Sequence, residues 1–548
     1  MKNFTKVALA LVLAAATGSF TATSAFAADI PAGTKLAEKQ ELNYNYGNSP
    51  DTIDPTLSVY SDSFSVLRML FDTLVRQDSH GNYIPWAAEK WETSSDGLTW
   101  TFYLRKNAKW TDGKPVTAKD FVYSWQRLTD PKTGAGYADY LATANVKNAA
   151  EINAGKKKPS ELGVEAKDDY TLVVHLTTPT PWLSQMTTLS VLSPLREDVI
   201  KKHGEKWTSV ENIVTTGPFK IVTNRLNDTM DFVKWDGHWD AKNTVITKVH
   251  FDFINNPLTS YYKYLQGEYP TTGIPVQFKK QVLAERKDEL VTINPLSTTY
   301  LKFNNKRLSD ARVRKALTLL VDRKFFIEKI LGFGVATSTV TPPGIKDGQD
   351  IKQAAWLERD FKANVEEALS LLKAAGYSKE KPLTVTLLSS SGADKKTFVA
   401  LSGLWEQNTG GVVILKNEVV ESKTWQSRVS TERNYDLTIG GWNADYDQVS
   451  TFYNIFTCDS PINDVQYCNP EFDKLVKTAA AEQDGAKRAQ LYAKANLILE
   501  KDLPVGPLWN PTTLALKSPA LQGYNPNNDV RYFYDYYFIA GKKAKGAK

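Results

Sequence analysis

Leu104-Arg105-Lys106-Asn107-Ala108-Lys109-Trp110-Thr111-Asp112-Gly113-Lys114-Pro115-Val116-Thr117-Ala118-Lys119-Asp120-Phe121-Val122-Tyr123-Ser124-Trp125-Gln126-Arg127 packs a strand end, a turn and a helix start into one segment. Asp112-Gly113 is a turn signal. Thr117-Ala118-Lys119-Asp120 resembles a capping box with Asp in place of Glu or Gln, which starts a helix through Phe121, Val122, Trp125 and Leu128. Upstream, the Asp96-Gly97 turn precedes Leu98, Trp100, Phe102 and Leu104, which alternate with Thr99, Thr101 and Tyr103 as in a half-buried strand. The same alternation returns from Tyr170 to Leu176. Further on, Asp310 caps a helix with Val313, Ala316, Leu317, Leu320 and Val321 on one face, and Asn364 is read as the cap of another that stops at Gly376. Leu383, Val385 and Leu387 then form a strand, and Pro470 to Asp502 holds two helical patterns broken near Asp484-Gly485. These patterns predict mixed α and β structure in at least two lobes.

A second segment carries chemistry. Tyr435-Asp436-Leu437-Thr438-Ile439-Gly440-Gly441-Trp442-Asn443-Ala444-Asp445-Tyr446 reads as a strand ending in a glycine-opened loop that presents Trp442 and Asp445. Without Cβ atoms, Gly440 and Gly441 let another backbone approach closely. A carboxylate beside such a platform can hold an ammonium group; the bland use of the same residues is a strand end with a solvated Asp.

The N-terminus sets the compartment. Lys2 and Lys6, an apolar run from Val7 to Ala16 and Ala25-Phe26-Ala27 form a cleavable secretory signal over residues 1–27, too short to span a membrane. With Lys2 and Lys6 in the signal and Lys542, Lys543, Lys545 and Lys548 in the tail, the rest of a chain of net charge +6 is close to neutral, so nucleic acid is not an expected partner. At 548 residues the chain exceeds a single core. Its 14 Trp and 25 Tyr suit walls around a ligand as well as a core. Cys458 and Cys468, the only cysteines, are expected to close a small disulfide loop in an oxidising compartment.

Catalytic and metal motifs are missing. No two of His80, His175, His203, His238 and His250 stand at i, i+4 spacing, and no nucleophile elbow, phosphate loop or dinucleotide fingerprint occurs. No metal site, cofactor or enzymatic activity is therefore expected.

Together the 104–127 segment, Ser309-Asp310-Ala311-Arg312-Val313-Arg314-Lys315-Ala316-Leu317 and Gly440-Gly441-Trp442-Asn443-Ala444-Asp445-Tyr446 resemble, in order, three segments of the periplasmic oligopeptide-binding proteins, family 5 of the solute-binding proteins of ABC importers. The resemblance lies near the oligopeptide and murein-tripeptide binders and covers essentially the whole mature chain. It implies an α/β, two-lobed periplasmic-binding-protein fold (type II, cluster C) with an extra inserted domain. Domain I would be 28–71, 196–297 and 512–548, domain II 72–195 and domain III 298–511. It also implies that Asp445 holds a ligand's α-ammonium, that Gly441, Trp442 and Asn443 line the cleft, that Tyr137 assists at the same end, and that Val59-Tyr60-Ser61 is a strand pairing with ligand backbone. Trp509 and Tyr60 are further cleft aromatics with packing as their alternative use, and Arg68 is a candidate lobe salt-bridge partner. The far end departs from the family: Ile439 stands where oligopeptide binders carry arginine, Asp394 lies near the place of a histidine, Ser422 replaces a tryptophan and Val59 a glutamate.

The reading that follows is a monomeric periplasmic protein of a Gram-negative bacterium that takes short extended peptides to ABC permease subunits and their cytoplasmic ATPases. The rebuilt far end motivates an alternative, the same fold holding a non-peptide or modified ligand such as haem, a metal chelate, an antimicrobial peptide, an opine or a bile-type compound. A hydrolase pairing Asp445 with another acid is the third reading, and nothing positive supports it.

Overall fold

The structure, a computed structural model, describes residues 28, 30–78, 81–332, 334–390, 395–524 and 531–543. The secretory signal, His80, Asp394, Lys545 and Lys548 lie outside the described residues.

Four sheets of three or more strands, with two two-stranded ribbons beside them, organise the described residues. Glu41–Asn45 pairs in parallel with Lys248–Asp252, which continues antiparallel through Thr229–Lys234 to Phe219–Arg225. A second sheet of four orders Ala88–Thr93, Thr99–Leu104, Thr171–His175 and Val164–Asp168. Thr513–Lys517 runs between Thr271–Gly273 and Leu290–Ile293. A six-stranded sheet orders Val335–Ala336, Val505–Asn510, Ser297–Phe303, Leu437–Asn443, Leu383–Ser390 and Val413–Val420.

The cores divide the molecule differently from the sheets. Leu42 and Phe251 of the first sheet share one continuous core with Phe102 of the second and with Trp125 of the helix Ala118–Thr129. The six-stranded sheet has its own core of Leu301, Phe303, Leu317, Trp405 and Leu437, and a third cluster joins Tyr300 to the helices that carry Phe452, Phe472 and Tyr492. The first two sheets are thus one body and the six-stranded sheet with its helices another. Within the first body Asp72 accepts hydrogen bonds from Trp86 Nε1 (2.8 Å), Trp239 Nε1 (3.1 Å) and His238 Nε2 (3.0 Å), all buried or nearly so, which ties the segments together.

Local sequence signals explain most elements. The Thr117 backbone N–H donates to Asp120 Oδ2 (2.7 Å), completing the capping box, and Phe121, Trp125 and Leu128 turn inward from it. Asp310 accepts from the Arg312 N–H and caps Ala311–Leu319. The predicted break separates Pro470–Ala481 from Gly485–Asp502. Two expectations change. The cap of Phe361–Ala374 is Asp360, which accepts from Lys362 N–H, whereas Asn364 sits inside the helix and donates its amide to the Trp356 carbonyl (2.9 Å) because the chain before the helix folds back over it. Residues 59–61 form no strand among the described residues: Tyr60 is extended (φ −113°, ψ 142°) and caps the helix Ser61–Leu70.

Candidate functional site

The Leu437–Asn443 strand does not end at its glycines, as the sequence suggested, but runs through them, paired antiparallel with Ser297–Phe303 from Leu437↔Phe303 to Asn443↔Ser297. The reason is local. A Cβ on Gly441 would stand 2.6 Å from the Thr298 carbonyl oxygen, so the close backbone approach that this glycine permits is to its own neighbouring strand. On the other side, pairing with Leu383–Ser390 is confined to Leu387↔Leu437. Beyond it, Ile439 to Asn443 have no second strand partner among the described residues, which leaves one backbone edge for a ligand strand.

The strand delivers Asp445. The Ala444 N–H donates to the Leu296 carbonyl (2.8 Å), and Thr451 Oγ1 accepts from both the Asp445 N–H (3.2 Å) and Trp442 Nε1 (3.4 Å). Across from it, Tyr137 OH of the first body donates to Asp445 Oδ1 at 3.0 Å. The two bodies also meet where the Asp447 N–H donates to Tyr83 OH (3.3 Å) and where the Tyr140 and Tyr446 rings lie 6.4 Å apart.

Burial pushes the Asp445 carboxyl up to about 7; the Tyr137 hydrogen bond opposes the rise, the charge of Asp139 adds to it, and Thr451 and the Arg68 charge oppose it. Asp139 is itself pushed up to about 6 by burial. Tyr137 and Tyr140 are held well above the ordinary phenol range, again mainly by burial. No ion pair to Asp445 occurs among the described residues. A partly buried carboxylate with a phenol donor and no cation in contact is suited to hold an ammonium ion, which would restore its charge.

The remaining predicted residues distribute unevenly. Gly441 and Asn443 are exposed and Trp442 is half-buried beside Asp445. Val59 fills the space left by the missing Cβ of Gly136, which sets the extended residues 59 and 60 against the Tyr137 turn. Tyr60 is half-buried, and Ser61 opens the helix that follows. Trp509 is 7% exposed and stacks on Phe326 at 6.0 Å, so its place is the core and it offers almost no surface to a ligand. Arg68, a candidate lobe salt-bridge partner, makes no salt bridge among the described residues, although its charge acts on Asp445. Cys458 and Cys468 are disulfide-bonded, with Cα atoms 4.4 Å apart. Ile439 packs against the core of the six-stranded sheet and brings no charge to the far end. Sequence reasoning missed Tyr83, Asp139, Tyr140 and Thr451; Tyr137-Ala138-Asp139-Tyr140 is an aromatic and acid run that could have drawn attention. A separate open cavity of about 780 Å³, lined by Lys39, Glu41, Tyr269 and Phe538 among others, shares no residue with this site.

Comparison with known proteins agrees with this geometry. The profile of bacterial extracellular solute-binding proteins, family 5 Middle, matches residues 82–464. The periplasmic oligopeptide-binding protein OppA of Haemophilus influenzae is 39% identical, covering 93% of this chain and 95% of its own. Its crystal structure in complex with RPPGFSPFR superimposes with a TM-score of 0.88, covering 92% of this chain and 100% of that one. The Escherichia coli murein tripeptide binding protein MppA, 34% identical with coverage of 92% and 100%, superimposes at 0.87, whereas an unliganded open form of MppA reaches only 0.68, with coverage of 93% and 99%. The bodies here therefore stand in the closed arrangement. A further relative, named "Probable deoxycholate-binding periplasmic protein YgiS" in Escherichia coli, is 35% identical with coverage of 94% and 96%, so overall likeness alone does not fix the ligand. The fold is the two-lobed, type II periplasmic-binding-protein fold, and the chain belongs to the bacterial extracellular solute-binding proteins, family 5.

Proposed function

We propose that this protein is the periplasmic solute-binding component of an ABC importer, which captures short peptides in extended form between its lobes and delivers them, as a monomer, to permease subunits driven by cytoplasmic ATPases. The observation that carries the reading is Asp445, joined to Tyr137 across the lobes at 3.0 Å, at the end of a strand edge that lacks a second partner. The edge offers hydrogen bonds that any peptide backbone can make, each contributing on the order of 1 kcal/mol. Asp445 takes the terminal ammonium, a group common to all peptides. Roles for Gly441, Trp442, Asn443, Val59, Tyr60 and Ser61 along the peptide, and the domain limits 28–71, 72–195, 196–297, 298–511 and 512–548, belong to the same reading. No catalytic step is assigned.

Asp445→Ala is expected to weaken tripeptide binding at least about tenfold by calorimetry, since it removes a charge-assisted bond; unchanged affinity overturns the assignment. The YgiS relative motivates a second reading, a bile-type ligand. An acidic ligand of that type would meet Asp445 and Asp139, two carboxylates already short of positive charge. Native mass spectrometry of the purified protein separates the two: bound peptide masses support the first, and a single non-peptide mass supports the second.

A further inference from the structure

Arg68 stands apart from the other buried arginines. Arg314 donates to the carbonyls of Leu308, Ser309, Asp502 and Leu503, Arg323 to those of Thr318, Val321 and Pro507, and Arg76 pairs with Asp535 at 2.9 Å. Arg68 is 6% exposed and its Nε is enclosed with no hydrogen-bond partner. Among the described residues its one ring contact is with Tyr532, 5.8 Å from the guanidinium carbon. A buried guanidinium left in this state needs a physical reason.

Its position supplies one. Phe64 and Arg68 are four residues apart on the helix Ser61–Leu70 and so share a face. The Phe64 ring lies 5.9 Å from that of Tyr137, whose hydroxyl bonds Asp445. Arg68 is thus one helical turn from Phe64, which packs on the tyrosine that joins the lobes. The ionisable groups acting on Asp445 are Tyr137, Asp139 and Arg68, with Thr451 as a neutral donor, and among them Arg68 is the single positive charge. Tyr140 and Tyr446 feel Asp445 as a further negative charge, Tyr83 bonds the neighbouring Asp447 N–H, and the Tyr532 ring lies 5.8 Å from the guanidinium carbon.

We propose that Arg68 is a positioning residue of the amine end, which from the opposite lobe biases Asp445 toward its charged, ammonium-accepting form without occupying it. This rests on the reading of Asp445 as the amine anchor. An arginine in direct contact would have to be displaced by the ligand's ammonium. One held out of contact biases the carboxyl toward ionisation and leaves its oxygens free for Tyr137 and the ligand.

The test uses the full mature chain as wild type, Arg68→Gln, Arg68→Met and Arg68→Lys. Aspartate carboxyl carbons are labelled, the Asp445 resonance is assigned by its loss in Asp445→Asn, and its titration is followed without ligand. The midpoint is expected to rise by about one pH unit in both neutral variants and to return toward wild type in Arg68→Lys. Calorimetry with trialanine should show a deficit of about ninefold at pH 6 that shrinks below about threefold at pH 8 in the neutral variants, since one pH unit is a factor of ten at most. An unmoved midpoint, or a deficit equal at every pH, overturns the proposal and leaves Arg68 a packing residue. A raised midpoint in a protein whose wild type binds no peptide sustains the role of Arg68 and defeats the peptide reading instead.

Discussion

Peptide binding should release a proton. In the closed, ligand-free form burial holds the Asp445 carboxyl at about 7, against an ordinary value of about 3.9. A carboxyl raised in this way favours the closed empty form at low pH, below the ordinary carboxylate range; that advantage is lost as pH rises toward 7 and the buried group must ionise. An ammonium ligand reverses the preference, because it pairs only with the ionised form. In the closed empty form about half of the sites are ionised at pH 7 and roughly 3% at pH 5.5, so trialanine affinity for that form should fall about fifteenfold between them. Keeping below pH 7.5 avoids deprotonating the peptide amine, which titrates near 8. Calorimetry in buffers of different ionisation enthalpy should count about 0.5 proton released per peptide at pH 7 and nearly one at pH 5.5. Asp445→Asn should flatten this dependence, and Asp139→Asn should reduce it, since Asp139 is raised by the same burial and adds to the rise at Asp445. Affinity that is constant over this range, with no buffer dependence, would mean that Asp445 stays hydrated until the ligand arrives and would refute the argument.

N-acetylated trialanine, which keeps the backbone groups but lacks the ammonium, should bind at least about tenfold more weakly than trialanine by calorimetry. Gly441→Ala should lower stability by about 1–3 kcal/mol in urea denaturation, because the new Cβ meets the Thr298 carbonyl oxygen of the paired strand. Gly440→Ala, whose Cβ would meet the Lys302 side chain rather than backbone, should cost less than Gly441→Ala, though Lys302 is held by its ion pair with Asp464. Cys458→Ser with Cys468→Ser removes a link across a sequence separation of 10 and should cost roughly 2–3 kcal/mol, read as a lower thermal midpoint that vanishes as a difference when the wild type is reduced. Trp509→Leu should lower stability while leaving peptide affinity unchanged, because the ring stacks on Phe326 inside the core; a selective loss of affinity would return Trp509 to the cleft.

The elements legible in the sequence were those whose signals are local. The capping box at Thr117, the Asp310 cap and the break before Gly485 depend on side chains within a few residues of the backbone they satisfy. Asn364 misled because an interior helical Asn bonded to Trp356 looks, as a string, like a cap. The glycine pair misled for a related reason: whether Gly441 opens a loop or admits a strand depends on Thr298, more than a hundred residues away. The proposed amine end comes from resemblance, Asp445 and Trp442 lying in a quoted segment and Tyr137 at a matching position, and the structure brings Tyr137 to Asp445. Arg68, Tyr83 and Asp139 acquire meaning only when the lobes meet, and no periodicity records that meeting. Trp509 has two readings, cleft wall or packing, and the Val505–Asn510 strand leaves it 7% exposed, which favours packing.

Closure and recognition are one event at this site. The polar and ring contacts that cross between the bodies among the described residues are individually modest: Tyr137 to Asp445 at 3.0 Å, the Asp447 N–H to Tyr83 at 3.3 Å, Lys346 Nζ 5.7 Å from the Tyr83 ring, Arg488 5.3 Å from the Trp182 ring, and Tyr446, which packs on the first body's core with its ring 6.4 Å from that of Tyr140. Arg488 is in addition already paired with Asp347 in its own body. Contacts of these kinds contribute about 1 kcal/mol each or less. Against them stands the burial of Asp445, which from its ordinary value to about 7 amounts to roughly 4 kcal/mol above neutral pH. The closing contacts and the buried charge are therefore of the same size, and an empty cleft gains little by shutting. A ligand ammonium removes the opposing term at its source. Extended backbone bound to the edge of the Leu437–Asn443 strand adds sequence-independent affinity, but it leaves Asp445 short of a cation. The terminal amine is then the group that converts a bound peptide into a closed protein, and closure becomes a report that the ligand carries a free N-terminus.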